Sequence, residues 1–387
     1  MAAPLEQPDF EVAVCRAGLE PVVARELRAL GLEVAFEGVR MVAFRGGLRG
    51  VYLASRALRA AVQVLKPLRK FRARDYERLY HQARKTPWHR LFSPEHTLRI
   101  DVKGTGSGLR DQRFATYRIK DAITDTFRKL SGGKRPSISR GEPDVRIVAY
   151  LYRDEVTLYL DATGAPLNAR GYRTEAGNAP LKEDLAAGLL MLAGWEASTP
   201  FADPMAGAGT LAIEAALMAA GRAPNLRRTM AFQHWNDHDA ELDGKVQAHL
   251  EAAEQPARIS ILACEQDAPT VDILERNLAR ADLTGAVQVH RGPFQNCRAQ
   301  LACGTIVTNP PYGERLPVEP SRLFADLERW AASVCPDGRL AIFAMASAKL
   351  PDLIDFPPDG RVTGLYNGQL AAQLASFRIP DSAGTDG

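Results

Sequence analysis

Hydrophobic positions in the first 70 residues follow two different periods. Apolar residues spaced three and four apart in Leu19–Leu30 and Leu48–Leu58 predict amphipathic helices, and the alternating segments around them predict half-buried strands. The resulting order of strand, helix, strand, strand, helix, strand is that of a ferredoxin-like module. The strands are expected at Phe10–Cys15, Val34–Phe36, Met41–Phe44 and Ala61–Leu65.

A second α+β domain is predicted from about residue 72 to residue 165. Its two helices alternate with three strands, and two glycine-containing segments, the second of them basic, predict flexible loops. We expect helices at Asp75–Arg84 and Arg118–Leu130, strands at Thr97–Val102, Val145–Tyr150 and Glu155–Leu160, and loops at Gly104–Gly108 and Ser131–Pro136.

From about residue 182 the pattern changes to alternating strands and helices, which is typical of a doubly wound α/β sheet. A polar insertion at 222–256 interrupts it, and Val362–Tyr366 with Leu370–Arg378 predicts a closing hairpin. Domains are therefore expected at 1–70 (ferredoxin-like), 71–165 (α+β) and 166–380 (Rossmann-like), followed by a disordered tail at 381–387. Within the third domain we expect strands at Pro200–Asp203, Ile259–Cys264, Ala286–His290, Thr305–Thr308 and Arg339–Ala344, and helices at Leu181–Ala193, Thr210–Ala220, Ala268–Ala281 and Pro320–Val334.

Charge is distributed unevenly along the 387 residues, although the net charge is only +3. Residues 1–174 hold 32 Lys and Arg against 19 Asp and Glu, whereas residues 175–387 hold 17 against 27. A basic half joined to an acidic half favours a module that meets a polyanion such as nucleic acid. For any single arginine, a solvated surface is an equally good explanation.

The five cysteines are an odd number without a C-x-x-C pair, which favours a reduced compartment and offers no metal-ligand spacing. The first residues contain no basic segment leading into an apolar core, and no apolar run approaches the roughly 18 residues that span a membrane. We therefore expect a cytoplasmic protein without a metal centre.

The segment from Asp203 to Thr210 follows a short apolar strand and opens an apolar helix, as a cofactor loop does. Its glycines permit a sharp turn and let a ligand approach the backbone. The pattern alone also fits dinucleotide enzymes, but those place an acid about 20 residues beyond the loop. Here the acid that ends the next strand, Glu265, comes much later, and Asp203 suits a ligand with a cationic methionine part. The spacing therefore favours S-adenosylmethionine.

Two acids follow the second strand of the α/β domain. Glu265 lies at a strand's carboxyl end, where one carboxylate can accept hydrogen bonds from both ribose hydroxyls. Asp267 either lies beside the adenine or caps the following helix. Together with the loop, these acids form the predicted cofactor site, which comprises Asp203, Met205, Gly207, Gly209, Thr210, Glu265 and Asp267.

The motif Asn309-Pro310-Pro311-Tyr312 ends a predicted strand and is the sharpest feature of the sequence. A nucleobase amine is a poor nucleophile because its lone pair is delocalised into the ring, and two acceptors on its N–H groups localise that pair. The Asn309 amide oxygen and the Pro310 carbonyl can accept them, the prolines fix the backbone, and Tyr312 can stack on a flipped base. The motif predicts methylation of an amino nitrogen without distinguishing guanine from adenine. The alternative interpretation is that the two prolines only form a stiff turn after the strand.

Several segments resemble the class I RNA methyltransferases that carry a THUMP domain. They include DPMAGAGTLAIEAA at 203–216, NPPYGER at 309–315, and RGYR at 170–173 followed by APLKEDLAA at 179–187. Two N-terminal segments, at 17–20 and 118–123, match the family's ferredoxin-like and THUMP portions. The likeness covers about residues 10–380 and is closest to the guanine-N2 methyltransferase half of the bifunctional bacterial 23S rRNA enzymes. The guanine-N7 half is expected to be absent, because the chain stops after the hairpin.

This resemblance implies a Rossmann-like class I methyltransferase domain preceded by a ferredoxin-like plus THUMP α+β module that binds structured RNA. It implies S-adenosylmethionine as methyl donor and N2-methylguanine as product. It also adds Lys182, which borders the methionine end, to the cofactor residues. Where relatives place an acid for the adenine amino group this chain has Pro293, so Gly292 and Phe294 are expected to substitute by backbone contact and packing.

Basic residues interleaved with aromatics in the first half can pair with phosphates and stack on splayed bases of folded RNA. Such contacts set affinity and orientation rather than sequence preference. The predicted RNA-binding residues are Arg69, Lys70, Arg72, Arg74, Arg110, Arg113, Arg118, Lys134 and Arg135.

The substrate stays open among several classes. A 23S rRNA guanine is the first expectation and a tRNA guanine the second. DNA adenine-N6 and protein glutamine-N5 methyltransferases share the tetrapeptide, but neither needs a basic N-terminal half. An RNA-binding assembly factor with an inactive methyltransferase domain is disfavoured by the intact Asn309 and the intact glycine loop.

Overall fold

The computed structural model describes residues 8–139, 141–173, 181–301, 303–311, 320–360 and 362–381. Within these ranges the chain divides into two compact units, each built on one β-sheet. The N-terminal unit comprises residues 8–15, 24–167 and 225–249, and the C-terminal unit comprises residues 16–23, 168–224 and 250–381. No helix of the described residues is long and apolar enough to cross a membrane.

Eight strands form the sheet of the N-terminal unit. They are β1 (Glu11–Cys15), β2 (Glu33–Gly38), β3 (Met41–Arg45), β4 (Ala61–Arg72), β5 (Thr97–Gly106), β6 (Ser137–Ile138), β7 (Val145–Arg153) and β8 (Glu155–Asp161). Their order is β2–β3–β1–β4–β8–β7–β5–β6. The first four strands have the predicted ferredoxin-like arrangement, with β1 lying between β3 and β4 and antiparallel to both.

Strand β4 is much longer than the predicted Ala61–Leu65 and belongs to both α+β modules. Its first half pairs with β1, and its second half pairs with β8 from Leu65 opposite Asp161 to Arg72 opposite Glu155. The sheet therefore continues across the predicted domain boundary at residue 70. The alternation of apolar residues is lost beyond Leu65 because the chain carries charges and Pro67 there, and a register shift after Pro67 accommodates the proline.

Five helices of the described residues accompany these strands in the sequence, and one of them begins well before its predicted first residue. Helix α5 begins at Gln112 rather than at the predicted Arg118, because the Asp111 carboxylate accepts hydrogen bonds from the first N–H groups of the helix. The predicted loop at Gly104–Gly108 is partly strand, since β5 continues to Gly106. The helices are α1 (Glu20–Ala29), α2 (Gly47–Ala57), α3 (Tyr76–Ala83), α4 (Trp88–Leu91) and α5 (Gln112–Leu130).

Residues 225–249 of the polar insertion pack within the N-terminal unit. They contain a short 3₁₀ turn at Ala231–His234 and most of helix α8 (Ala240–Ala252). The aromatic ring of Phe232 stacks on Tyr52 of α2, with 4.3 Å between the ring centroids. The insertion therefore contributes to the core of the N-terminal unit.

Seven strands form the sheet of the C-terminal unit. They are β9 (Phe201–Asp203), β10 (Ile261–Glu265), β11 (Gln288–Arg291), β12 (Thr305–Thr308), β13 (Arg339–Met345), β14 (Thr363–Asn367) and β15 (Leu370–Arg378). Helices α6 (Glu183–Leu192), α7 (Thr210–Ala219), α9 (Ala268–Arg280) and α10 (Pro320–Val334) alternate with them. The order β11–β10–β9–β12–β13–β15–β14 is parallel except for β15, which is antiparallel to both neighbours. The predicted doubly wound sheet and its closing hairpin are confirmed.

The strand order changes direction at β9, which lies between β10 and β12. In an open parallel sheet, ligands bind outside the carboxyl ends of the strands at such a switch point. The segments that carry the predicted cofactor and catalytic residues leave β9, β10 and β12 at this edge.

Candidate cofactor and methyl-transfer site

The glycine loop starts at the carboxyl end of β9 and leads into α7. Gly207 has a φ of +54° and Gly209 a φ of +84°, a region that residues with side chains rarely adopt. A Cβ atom at Gly209 would lie 2.8 Å from Leu274, so this glycine lets α9 pack on the loop. A Cβ atom at Gly207 would meet no atom within 4 Å, so the backbone there borders space that a ligand can enter.

Glu265, at the end of β10, is held by two backbone N–H groups. Gly207 donates to one carboxylate oxygen and Asp267 donates to the other, each at 2.9 Å. The carboxylate is therefore fixed against the glycine loop, and its contact with a ribose stays a prediction. Asp267 is the N-cap of α9, because its carboxylate accepts the N–H of Thr270 at 3.1 Å. Of the two roles considered for Asp267, the helix cap is present.

Asp203 ends β9 and is 2% exposed. Its carboxylate accepts a hydrogen bond from the N–H of Met205 at 3.2 Å. Burial raises the pKa of Asp203 to about 7; the N–H of Met205 and the hydroxyl of Thr308 oppose this rise, and the charge of Glu265 adds to it. A cation that binds beside this buried carboxyl group stabilises its ionised form.

The segment Asn309–Pro311 follows β12, the strand that pairs with β9 on the side opposite β10. In the register of this pair Thr305 lies opposite Phe201, so the residues after β12 leave the sheet at the same edge as the glycine loop. Asn309 is half-buried and Pro310 is buried. Tyr312 lies outside the described residues, so its stacking role stays a prediction.

The remaining predicted cofactor residues have different surroundings. Phe294 is 4% exposed and packs edge-to-face on Trp330, with 5.6 Å between the ring centroids, in the core beside α10. Met205 packs against the same core, and Thr210 is the buried first residue of α7. Lys182 is exposed immediately before α6. Phe294 is therefore a core residue at the end of the site, and a contact between Lys182 and the methionine part stays a prediction.

The turn after β11 contains Pro293, at the position where the resemblance implies an acid near the adenine. The N–H of Gly292 donates to the carbonyl of Glu265 at 2.9 Å, so this donor is already engaged. Pro293 then begins a short 3₁₀ turn that contains Phe294. The backbone contact expected from Gly292 is thus restricted to its carbonyl oxygen.

One residue that supports the loop was missed by sequence reasoning. Asn277 of α9 is completely buried, and its side-chain amide donates to the carbonyl of Ala208 at 3.0 Å. This bond ties the glycine loop to the helix that packs against it. The available signal was an amide on the apolar face of α9, three residues after Leu274.

Two buried ion pairs beside α6 and α7 were also missed. Arg173 pairs with Glu183 of α6 at 2.6 Å, and Arg170 pairs with Glu214 of α7 at 3.4 Å. The hydroxyl of Tyr172 donates to Glu214 at 3.1 Å. The RGYR segment is therefore fastened to the first turns of α6 and the middle of α7.

Most of the predicted RNA-binding residues in the N-terminal unit already have partners within the protein. Arg69, which is half-buried, donates to the carbonyl of Gln82 at 2.7 Å and so stabilises this unit instead of presenting a free cation. The others in this group pair with acids: Lys70 with Glu155 at 2.7 Å, Arg74 with Asp154 at 2.9 Å, Arg118 with Asp121 at 3.8 Å and Lys134 with Glu95 at 3.1 Å.

A smaller group of the predicted RNA-binding residues is available for phosphate. Within the described part of the chain, Arg72, Arg110, Arg113 and Arg135 are exposed and make no ion pair. An exposed guanidinium without an acidic partner can pair with a phosphate at little cost. No group of three or more His, Cys, Asp or Glu side chains that could hold a metal ion occurs among the residues the structure describes.

Comparisons with known proteins agree with this architecture. Residues 170–375 match the family described as RMKL-like, methyltransferase domain; residues 73–161 match the THUMP domain; and residues 12–65 match the RlmL ferredoxin-like domain. A solved putative methyltransferase complexed with SAH is 27% identical, with a TM-score of 0.85 over 96% of this chain and 98% of that one. The second unit is a class I methyltransferase domain, for which the methyl donor is S-adenosylmethionine.

Curated relatives extend the comparison along the sequence. The ribosomal RNA large subunit methyltransferase K/L of Methylococcus capsulatus is 40% identical, over 95% of this chain and 51% of the relative. The protein of the same name from Ectopseudomonas mendocina is 36% identical, over 95% and 52%. The chain thus spans about half the length of these relatives. The predicted resemblance is confirmed, and the chain belongs to the RMKL-like methyltransferase family.

Proposed function

We propose that the protein transfers a methyl group from S-adenosylmethionine to the N2 amino group of a guanine in large-subunit ribosomal RNA. The observation that carries this proposal is that Asn309–Pro311 and the glycine loop follow the carboxyl ends of two neighbouring parallel strands, β12 and β9. The THUMP match in the other unit and the names of the curated relatives support RNA as the substrate.

The residues of the C-terminal unit fit the methyl donor. Gly207 leaves room beside the backbone, Glu265 presents a preorganised carboxylate for two ribose hydroxyls, and buried Asp203 provides a negative charge for the cationic methionine part. The donor, when bound, supplies a methyl group on a sulfonium centre that a neutral amine can attack. Preorganised groups of this kind cost no reorganisation at the moment of reaction.

The acceptor amine is prepared by Asn309 and Pro310. Its two N–H groups donate to the Asn309 side-chain oxygen and the Pro310 carbonyl, which draws the nitrogen lone pair out of conjugation and directs it toward the methyl group. The nitrogen forms a bond to the methyl carbon as the bond between that carbon and the sulfur of the donor breaks, and the electron pair of the broken bond stays on sulfur. The methylated nitrogen then releases a proton to water. No strong general base is needed because the methylated, cationic nitrogen is acidic.

We expect the affinity for S-adenosylmethionine to rise roughly tenfold between pH 6 and pH 8. With a pKa of about 7, Asp203 is mostly protonated at the lower pH and mostly ionised at the higher one, and the cation prefers the ionised form. Isothermal titration calorimetry measures this dependence. The donor's own amino group titrates equally with every variant, so the smaller slope expected for Asp203→Asn isolates the contribution of Asp203. Equal slopes for the two proteins would contradict the assignment.

The proposed substrate is tested by methyl transfer from labelled S-adenosylmethionine to protein-free 23S rRNA, tRNA and duplex DNA, followed by nucleoside analysis. N2-methylguanosine in the rRNA alone is the expected product. The same nucleoside in tRNA alone would move the substrate to the second expectation, and N6-methyladenine in DNA would refute the proposal. RNA binding without any transfer would favour an assembly factor.

A further inference from the structure

A short segment near the start of the chain, Arg16–Val23, belongs to the C-terminal unit. It lies within the residues that match the ferredoxin-like domain, joins β1 to α1 and includes the first turn of α1. Its Gly18 has a φ of +90°, and a Cβ atom there would lie 2.7 Å from the carbonyl oxygen of Gly364 in β14. The methyltransferase unit therefore contains a piece of chain from far upstream in the sequence, packed closely against its own sheet.

Two residues of this segment contact helix α6. The Arg16 guanidinium donates two hydrogen bonds to the Asp184 carboxylate, from Nε at 2.5 Å and from Nη2 at 3.1 Å. Asp184 is completely buried in the first turn of α6. One turn later a Cβ atom at Gly188 would lie 2.7 Å from the buried Leu19 side chain, so the glycine makes room for it. Contacts one helical turn apart fix both the position of α6 and its rotation about its axis.

The first turn of α6 lies toward the edge of the sheet that carries the glycine loop. At the other end of α6, the carbonyl of Ala193 accepts a hydrogen bond at 3.0 Å from Arg339, the first residue of β13. The first residue of β13 lies at the amino edge of the parallel strands. Helix α6 packs against α7, which starts at the carboxyl edge, and its ten residues span about 15 Å. Its first turn is therefore at the carboxyl edge.

The strand order relates this turn to one end of the methyl donor. Glu265, the expected ribose contact, ends β10, and the turn expected near the adenine follows β11. The last turn of α6 bonds to β13, on the other side of β9 from these strands. Asp203, the expected partner of the cationic methionine part, ends β9 between them. We therefore expect the first turn of α6 on the methionine side of the donor.

We propose that Arg16 is a positioning residue for the methionine part of S-adenosylmethionine. Its paired hydrogen bonds to Asp184 hold the first turn of α6, and with it Lys182, where the methionine part binds. A guanidinium–carboxylate pair suits this role because its two bonds fix orientation as well as distance. A site group that shifts by about 1 Å loses much of its effect on a bound ligand. The inference rests on the proposed function only in taking S-adenosylmethionine as the donor.

The test is isothermal titration calorimetry of the full chain, without RNA, with S-adenosylmethionine and with methylthioadenosine, which lacks the amino-acid part. Arg16→Met should weaken S-adenosylmethionine binding about tenfold and change methylthioadenosine binding less than about twofold. Arg16→Lys keeps a cation beside Asp184 without the paired geometry, so it should lose about threefold on S-adenosylmethionine alone. Arg329→Met, at an exposed arginine of α10 that pairs with Asp326, is the control and should bind both ligands as the parent protein does.

A double variant separates positioning from stability. Arg16→Met leaves a buried carboxylate without its partner, and adding Asp184→Leu removes that charge. Amide exchange in α6 should then return toward the parent rate while S-adenosylmethionine affinity stays low. Arg16→Lys carries the ligand comparison if Arg16→Met does not fold.

Three results would overturn the proposal. They are unchanged S-adenosylmethionine affinity in the Arg16 variants, an equal loss on both ligands, and recovery of affinity together with amide protection in the double variant. The last two would show that Arg16 only stabilises the fold. No RNA enters these measurements, so a failure of guanine methylation would leave them intact and the two hypotheses fail separately.

Discussion

Replacement of Asn309 by alanine is expected to reduce the rate of methyl transfer by at least about a hundredfold, while RNA affinity changes little. The side-chain oxygen of Asn309 is the proposed acceptor for one N–H of the guanine amine, and loss of one preorganised hydrogen-bonding group typically costs two to three orders of magnitude in rate. Phosphate contacts in the N-terminal unit are expected to supply most of the RNA affinity. Single-turnover transfer with saturating donor measures the rate, and anisotropy measures binding.

Two further variants sharpen this experiment. Asn309→Asp keeps an acceptor oxygen at the same position, so it should retain more activity than Asn309→Ala. Asn367→Ala, at the β14–β15 turn, serves as a control in the same unit and should leave the rate unchanged. Equal loss in the alanine and aspartate variants, or loss of RNA binding together with activity, would show that hydrogen-bond acceptance is not the role of Asn309.

Replacement of Arg56 by methionine is expected to lower the free energy of unfolding of the N-terminal unit by about 3–5 kcal/mol. Arg56 is completely buried, and it donates two hydrogen bonds to the Asp243 carboxylate at 2.9 Å each. It also donates to the carbonyls of Leu226 at 2.9 Å and Arg228 at 3.2 Å. Removal of the guanidinium leaves a buried carboxylate and two carbonyls without these donors. Removing one partner of a buried ion pair destabilises a protein far more than replacing both partners by apolar residues.

Amide hydrogen exchange is the suitable measurement, because a chain of two units need not unfold in one step. Exchange at 225–249 should accelerate most in Arg56→Met. Adding Asp243→Leu should restore part of the protection, since an apolar pair removes the unpaired charge. Arg45→Met breaks an exposed pair with Asp9 and Glu33 and should change little. If Arg56→Met exchanged like Arg45→Met, the buried pair would not be what holds the insertion.

The sequence predicted the C-terminal sheet well because its strands are short apolar runs between amphipathic helices. Thr305–Thr308 and Pro320–Val334 have the predicted bounds. In the N-terminal unit β4 was predicted too short, because pairing with β8 holds its second half as a strand even where charges and Pro67 interrupt the apolar pattern. The start of α5 was missed because Asp111, a polar residue in an apparent loop, is the N-cap.

The residues of the candidate site also divide into those whose surroundings are local in the sequence and those whose partners are distant. The backbone turn at Gly209 and the position of Glu265 at a strand end could be predicted, because both depend on local sequence. Asn277 and Arg170 could not, because their partners lie far away in the sequence and only the folded chain brings them together. The hydrogen bond of Arg69 could not be predicted either, because its acceptor is a carbonyl 13 residues away in the sequence.

The insertion that completes the N-terminal unit has a consequence for synthesis. Arg56 and Asp243 are 187 residues apart in the chain, so the ribosome makes Arg56 long before its partner. At about 5–20 residues per second, this interval lasts about 10–40 s. During that time the nascent ferredoxin-like module cannot bury the guanidinium, and its surface at α2 stays incomplete. The ferredoxin-like module therefore finishes folding only after residue 243 has been translated, and a chain interrupted before that residue would leave it unfinished.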